Sequence, residues 1–321
     1  MRGWICKISF PNFLVKNRRV IILSKKKISN SILSKKSIPY LLLLPAFIYY
    51  TIFWLTPVCS GMVEVFTDLN GNFTLTENFK LVLNSDLFGK SVMNTALFAA
   101  VSVVIQYFLA LLLAVLLSGK FKGSKLLMFI AMIPMAITPT AVAILWKTGL
   151  IKEGWVNSVL MFFNIIKEPI VFLNAEGLVA VFLIILVDTW TVTPLVMIIL
   201  SAGLQSVHRE LKEAAYIFGA SKWRIFVDIT LPILKPSIIT SVILRLIAAV
   251  QVWAIVVMVL GFSKVPFLVE RIAFYVDVVP GVATSQKIAF TLSFITTVIV
   301  LIATLIYLRV TKKITNLGGN N

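Results

Sequence analysis

Charge is scarce in this chain: only 13% of its 321 residues are Asp, Glu, Lys or Arg, against about 25% in soluble domains. Hydrophobic residues make up 59%. Such a composition excludes a water-soluble globular domain and points to an integral membrane protein. Cysteine is limited to Cys6 and Cys59, far apart and in different contexts, which excludes a disulfide framework and a thiolate metal site. The one histidine, His208, has no Cys or His neighbour, so it reads as a surface side chain and not as a ligand or base. Nucleotide-binding chemistry is missing too. Gly119-Lys120-Phe121-Lys122-Gly123-Ser124-Lys125 has too few residues between its glycines for a phosphate-cradling loop. No nucleophile elbow, zinc spacing or paired-carboxylate site occurs, so no catalytic residue and no metal ligand is assigned.

Residues 1–38 contain no acid and ten Lys or Arg. Their apolar patches are too short to span a bilayer, and no cleavable signal pattern stands out. The segment reads as a basic cytoplasmic tail at the membrane surface. A nucleic-acid-binding arm is the alternative, but basic residues beside a span usually report orientation.

Long apolar runs occupy the remainder. At 1.5 Å per residue a span takes about 20 residues. Six fit, at about 39–62, 91–118, 126–147, 178–201, 237–262 and 288–309, giving an all-α membrane domain over 39–313 and a short tail over 314–321. With the N-terminus inside, 21 of the 30 Lys and Arg fall in inside segments and eight in outside loops, with Arg245 within the fifth span. Nine of the 13 acids lie outside. This distribution obeys the positive-inside rule, puts both termini in the cytoplasm, and makes most of the +17 net charge a signature of topology. The outside segments 63–90 and 149–177 are too short for separate domains and read as caps.

Polar groups within spans are costly and usually face a bundle interior or a watery path. Gln106 in span two, Asp188 and Trp190 in span four, and Gln251, Trp253 and Ala254 in span five are therefore the candidates for a solute pathway. Asp188 has a competing role as a structural lock, paired with Arg245 or bonded to nearby threonines, because a buried carboxylate needs a partner. Trp190 and Trp253 could equally fill a helix interface. Gln251 offers two donors and an acceptor without charge, which suits a neutral hydroxylated solute. Pro134, Pro139 and Pro194 interrupt spans three and four, and such interruptions are tolerated where backbone lines a cavity or packs on protein.

One stretch stays amphipathic. From Glu213 to Pro236 the chain reads EAAYIFGASKWRIFVDITLPILKP. Leu204, Val207, Leu211, Ala214, Ala215 and Phe218 have helical spacing, Gly219 stops that helix, Ser221 suits an N-cap, and Pro232 is expected to end a second short helix. Helix, tight turn and helix would form a cytoplasmic knob suited to a groove.

Glu213-Ala214-Ala215, Gly219-Ala220 and Leu231-Pro232 resemble the EAA motif of ABC importer permeases. With Asn94-Thr95, Pro134 and Ala202-Gly203-Leu204-Gln205, the resemblance extends over 39–313 and is to the carbohydrate-uptake permeases. Three positions depart from the family pattern: Phe218 stands where Asp is common before the glycine, Val207-His208 replaces Ile-Pro, and Gly261-Phe262-Ser263-Lys264 replaces Gly-Gly-Pro. The resemblance implies a type I importer fold, with the motif at about 203–236 as a coupling hairpin docked into an ATPase. It also implies a second permease subunit, two ATP-binding subunits holding ATP and magnesium, and an extracytoplasmic solute-binding protein. This chain would bind no cofactor itself, and its neighbours would be those proteins and membrane lipid, not nucleic acid. The expected solute is a sugar or oligosaccharide. A polyamine, peptide or phosphate permease is the alternative, and an ion-coupled secondary transporter a more distant one, since no inverted repeat is visible.

Overall fold

A computed structural model describes residues 38–119 and 121–317; the basic tail, Cys6 and residues 318–321 lie outside the described residues. The chain divides into two compact units, Met1–Gly61 and Met62–Asn321. In the first, α1 (Ile38–Tyr50) passes through a π-turn at Thr51–Leu55 into α2 (Thr56–Val65), which ends in the second unit. No residue of α1 is buried. A helix that is apolar and exposed all round is stable in hydrocarbon and not in water.

The second unit continues with α3 (Glu77–Leu83), α4 (Asp86–Ser118), α5 (Ser124–Ala136), α6 (Pro139–Leu150), α7 (Trp155–Phe162) and α8 (Gly177–Gln205). There follow α9 (Arg209–Ile217), α10 (Lys222–Ile225), a π-turn at Phe226–Thr230, and α11 (Leu231–Val250). The unit closes with α12 (Ala254–Leu260), α13 (Leu268–Ala273) and α14 (Ala283–Leu317). Among the described residues, five helices are long and apolar enough to cross a membrane: Ile38–Val65, Asp86–Ser118, Gly177–Gln205, Lys222–Val250 and Ala283–Thr311. The bent pair α5–α6 counts as a sixth if it is one span. The chain is thus an all-helical, multi-pass membrane protein.

Two expected spans differ. Residues 126–147 are not one straight helix, because α5 and α6 meet at 96°. Pro139 forces the preceding Thr138 into extended geometry (φ −64°, ψ 148°). Its hydroxyl then caps α6 by accepting from the Ala141 amide at 3.3 Å. The second difference lies at Gln251–Trp253, where residues 237–262 break between α11 and α12. No proline or glycine marks this break, and Trp253 takes φ −154°, ψ −48°.

Two apolar clusters stack along the bundle. The one at the hairpin end joins Ala110 and Ala114 of α4, Val196, Met197, Leu200 and Leu204 of α8, and Leu234 of α11. The other unites α4, α6, α8 and α12 through Phe98, Trp146, Ile184 and Val256. In sequence, the polar residues Ser102, Gln106, Asp188 and Arg245 fall between the two clusters on each helix.

Candidate functional site

The hairpin is built as its residue types dictate. α9 ends in a Schellman motif: the Ala220 amide donates to the Ala215 carbonyl at 3.0 Å and the Gly219 amide to Tyr216 at 3.0 Å. Gly219 supplies the left-handed residue this requires (φ +80°), and a Cβ there would meet nothing within 4 Å. Ser221 caps α10, its Oγ accepting from the Arg224 amide at 3.3 Å. Arg209 pairs with Glu213 and Arg224 with Asp228, each one turn apart on exposed faces.

Two expectations for this stretch are corrected. Leu204 and Val207 do not share a helix face with Leu211 and Phe218, because α8 stops at Gln205 and α9 begins at Arg209. Leu204 and Val207 are buried, whereas Phe218 is 90% exposed. Nor does Pro232 end a helix: the run from Lys222 to Val250 is continuous, with Pro232 in the first turn of α11. The π-turn before it bonds the Leu231 amide to the Phe226 carbonyl, five residues back. That wider register makes room for a ring with no N–H to donate.

Of the motif residues, Glu213, Ala214, Gly219 and Pro232 are exposed and Ala215, Ala220 and Leu231 half-buried. Around them stand Tyr216, Ile217, Phe218 and Trp223, between 67% and 90% exposed. None of these four is among the expected docking residues, although a run of large apolar side chains on a polar helix is itself a signal of a covered face. A groove of about 700 Å³ between the hairpin and the ends of α4 and α8 is lined by Val115, Leu204, Lys212, Glu213 and Phe226, among others.

The intramembrane candidates separate into two groups. Gln106 and Asp188 lie in one closed network with Arg245 and Ser102. The Asp188 Oδ2 accepts from Gln106 Nε2 at 2.7 Å and from Arg245 Nη2. The Gln106 Oε1 accepts from Arg245 Nε, and Arg245 Nη2 also reaches the Ser102 hydroxyl at 3.4 Å. Both charged side chains are 6% exposed. Ser102 escaped sequence reading, although it precedes Gln106 by one helical turn and so shares its face. Trp190, Gln251, Trp253 and Ala254 are not in this network. Trp190 is half-buried, meeting Trp146 edge-to-face at 5.9 Å, and Trp146 in turn meets Trp155 at 5.4 Å. Gln251 and Trp253 are exposed in the helix break, and Ala254 opens α12. Trp190 and Val252 pack against the same apolar cluster, which ties the break to α8.

Outside the spans, Glu270 is fully buried. Its carboxylate accepts from the Ser263 amide at 2.8 Å and the Phe267 amide at 3.3 Å. Burial raises its pKa above the usual carboxylate value, against the pull of these bonds and of Arg271. Lys287 reaches Glu64 at 2.7 Å and Thr67 at 3.1 Å. Several residues expected in open outer loops are therefore buried partners.

The trehalose/maltose transport system permease protein of Thermococcus litoralis is 31% identical over 280 residues, covering 84% of this chain and 92% of that one. The lactose transport system permease protein of Rhizobium radiobacter is 33% identical over 218 residues, covering 67% and 73%. In fold, the chain resembles a bacterial ABC transporter involved in import of the acidic polysaccharide alginate. The TM-score there is 0.77 at 22% identity, with 88% of this chain and 97% of the other covered. The profile of binding-protein-dependent transport system inner membrane components matches residues 106–316. Hairpin, bundle and relatives converge: the chain belongs to the binding-protein-dependent transport system inner membrane component family, the permease subunits of ABC importers.

Proposed function

We propose that this chain carries a neutral sugar or oligosaccharide inward as one of two permease subunits, driven by two ATPase subunits that hold ATP and magnesium. An extracytoplasmic binding protein delivers the solute. The single observation behind the docking role is the hairpin, whose small motif residues sit among four exposed large apolar side chains at the end of two spans. Such a surface is stable once a partner covers it. The positive-inside distribution supports a cytoplasmic hairpin and cytoplasmic termini. The chain contributes no chemistry of its own; transport follows from differential contact of its two states with the ATPases and the binding protein.

For the solute, the names of the two relatives support a sugar. Gln251, Trp253, Trp190 and Ala254 form the proposed pathway, an uncharged amide with indole faces beside a helix break. Asp188 is held by Arg245, so no free carboxylate from that position recruits a cation such as a polyamine. Gly219→Asp is the test of docking. Nothing crowds a side chain there, and Asp is among the residues that best tolerate the left-handed backbone (φ +80°), at a cost of about 1–2 kcal/mol, so the variant is expected to insert and assemble yet lose solute-stimulated ATP hydrolysis in the reconstituted complex. A wild-type response would sink the docking role.

A further inference from the structure

The helix that follows the hairpin does not stop at the membrane surface. α10, the π-turn and α11 form one continuous span from Lys222 to Val250, so Arg245 lies about 35 Å along the helix from its hairpin end at 1.5 Å per residue. On the other arm, Asp188 lies about 26 Å from the end of α8 by the same rise. Deep in the bundle, therefore, the two arms of the hairpin are joined by a buried ion pair. At their base they are joined again, where Gly203 lets Ser237 and Leu234 of α11 close on the α8 backbone.

Between these points the arms pack through apolar side chains such as Leu200 and Ile238. Inside a bilayer such contacts supply little drive, because lipid tails solvate a leucine as well as a neighbouring helix does. Apolar faces slide past one another readily, so a push on the hairpin could be lost as shear between α8 and α11. A charged pair resists that sliding, since separation leaves each charge unpaired in a medium that cannot solvate it. Beyond the pair, α11 runs little more than one turn before it opens at Gln251–Trp253.

We propose that Asp188 and Arg245 are positioning residues that clamp α8 and α11 into one lever, so that displacement of the hairpin arrives undiminished at the Gln251–Trp253 break. Gln106 and Ser102 complete the clamp by presenting α4 as the fixed member against which the pair is oriented. The inference rests on the importer reading above.

The experiment uses the complete complex of permeases, ATPases and binding protein in proteoliposomes. Asp188→Asn with Arg245→Gln removes both charges and leaves neither unpaired, which separates clamping from the cost of a lone buried charge. The lever requires normal assembly and basal hydrolysis. It also requires that solute transported per ATP, and stimulation by loaded binding protein, each fall about fivefold or more, the low end of a typical coupling between two sites. Wild-type coupling in an assembled double variant overturns the proposal and leaves the pair a folding device. If the double variant does not assemble, Asp188→Leu with Arg245→Met decides: apolar residues of similar volume generally preserve stability where a buried ion pair is replaced, and they remove the charged clamp. A coupling ratio lowered about fivefold or more supports the lever, and an unchanged ratio overturns it. A wild-type complex that shows no stimulation by solute refutes the importer reading instead, which is a separate outcome.

Discussion

Gly203 sits where α8 and α11 come closest, and the effect of one methyl group there can be worked from the geometry. A Cβ at this position would lie 2.4 Å from Ser237 Oγ, 2.6 Å from Leu234 Cδ1 and 2.8 Å from Ser237 Cβ. Ordinary carbon contacts are about 3.5–4.0 Å, so roughly 1 Å must be found. Rotation of Ser237 moves its Oγ away but not its Cβ, and Leu234 is fully buried with little room to turn. The two helices must part. Overpacking of this kind costs about 1–3 kcal/mol, offset by about 0.5–1 kcal/mol because alanine suits a helix interior better than glycine. A net loss near 1–2 kcal/mol follows from those two terms. Gly89, in α4, is the matched control: its added Cβ meets nothing within 4 Å, so only the favourable term applies. Thermal unfolding of the purified protein should therefore move in opposite directions, down for Gly203→Ala and up for Gly89→Ala. Each kcal/mol is worth about 1.5 °C in a chain of this size, at about 2.1 cal/mol/K of unfolding entropy per residue. If Gly203→Ala melts at or above wild type, the helices are not in contact as described and the reasoning fails.

Two further perturbations follow from the geometry. Because burial raises the Glu270 carboxyl, the folded protein holds that proton more tightly than the unfolded chain does. The contribution of this residue to stability is thus greatest below the ordinary glutamate value of about 4.3 and declines as pH climbs toward the raised value. Glu270→Gln is uncharged and should remove the slope. Melting temperatures of the two proteins from about pH 4 to about pH 7 must diverge with that sign, and a constant difference contradicts it. For the pathway, Gln251→Ala and Trp253→Ala are expected to lower solute uptake about tenfold or more, while assembly and basal hydrolysis hold. Each loses an exposed group of the proposed path, and an orientation-specific bond or ring face of this kind is worth about 1–3 kcal/mol. Unchanged uptake in both moves the site elsewhere.

How legible was this molecule in its residues? The helical class and four of the six spans could be read from apolar length alone. The turn at Gly219 and the cap at Ser221 could also be read, because both are local chemistry: one residue needs φ above zero, the other an oxygen one turn ahead of an orphan amide. The bend at Thr138 carried its signal in Pro139, whose ring restricts the residue before it. By contrast, Gln251–Trp253 has no breaker, so no local pattern records its interruption, beyond which α12 packs into the cluster of α4, α6 and α8. Pro232 misled for the opposite reason. A proline argues against a helix only when the preceding turn is α-helical, and the π-turn at Phe226–Thr230 changes that turn.

What the spans could not reveal is which side of each faces inward. α4, α8 and α11 are apolar nearly all round, and a helix of that kind in lipid has no hydrophobic preference among its faces. The polar layer supplies the preference. Ser102 and Gln106 mark one stripe of α4, Asp188 one of α8 and Arg245 one of α11, and a single closed set of bonds satisfies all four. Rotating any of these helices by half a turn would aim a charge or an amide at hydrocarbon, whereas the apolar contacts would barely register the change. Sliding one helix by a turn would break the set as well. Replacing the pair with well-packed apolar residues would cost little stability, and by the general behaviour of buried ion pairs could raise it. The layer therefore contributes orientation and register more than it contributes strength. That is what two helices need if the hairpin between them is to move them as one body.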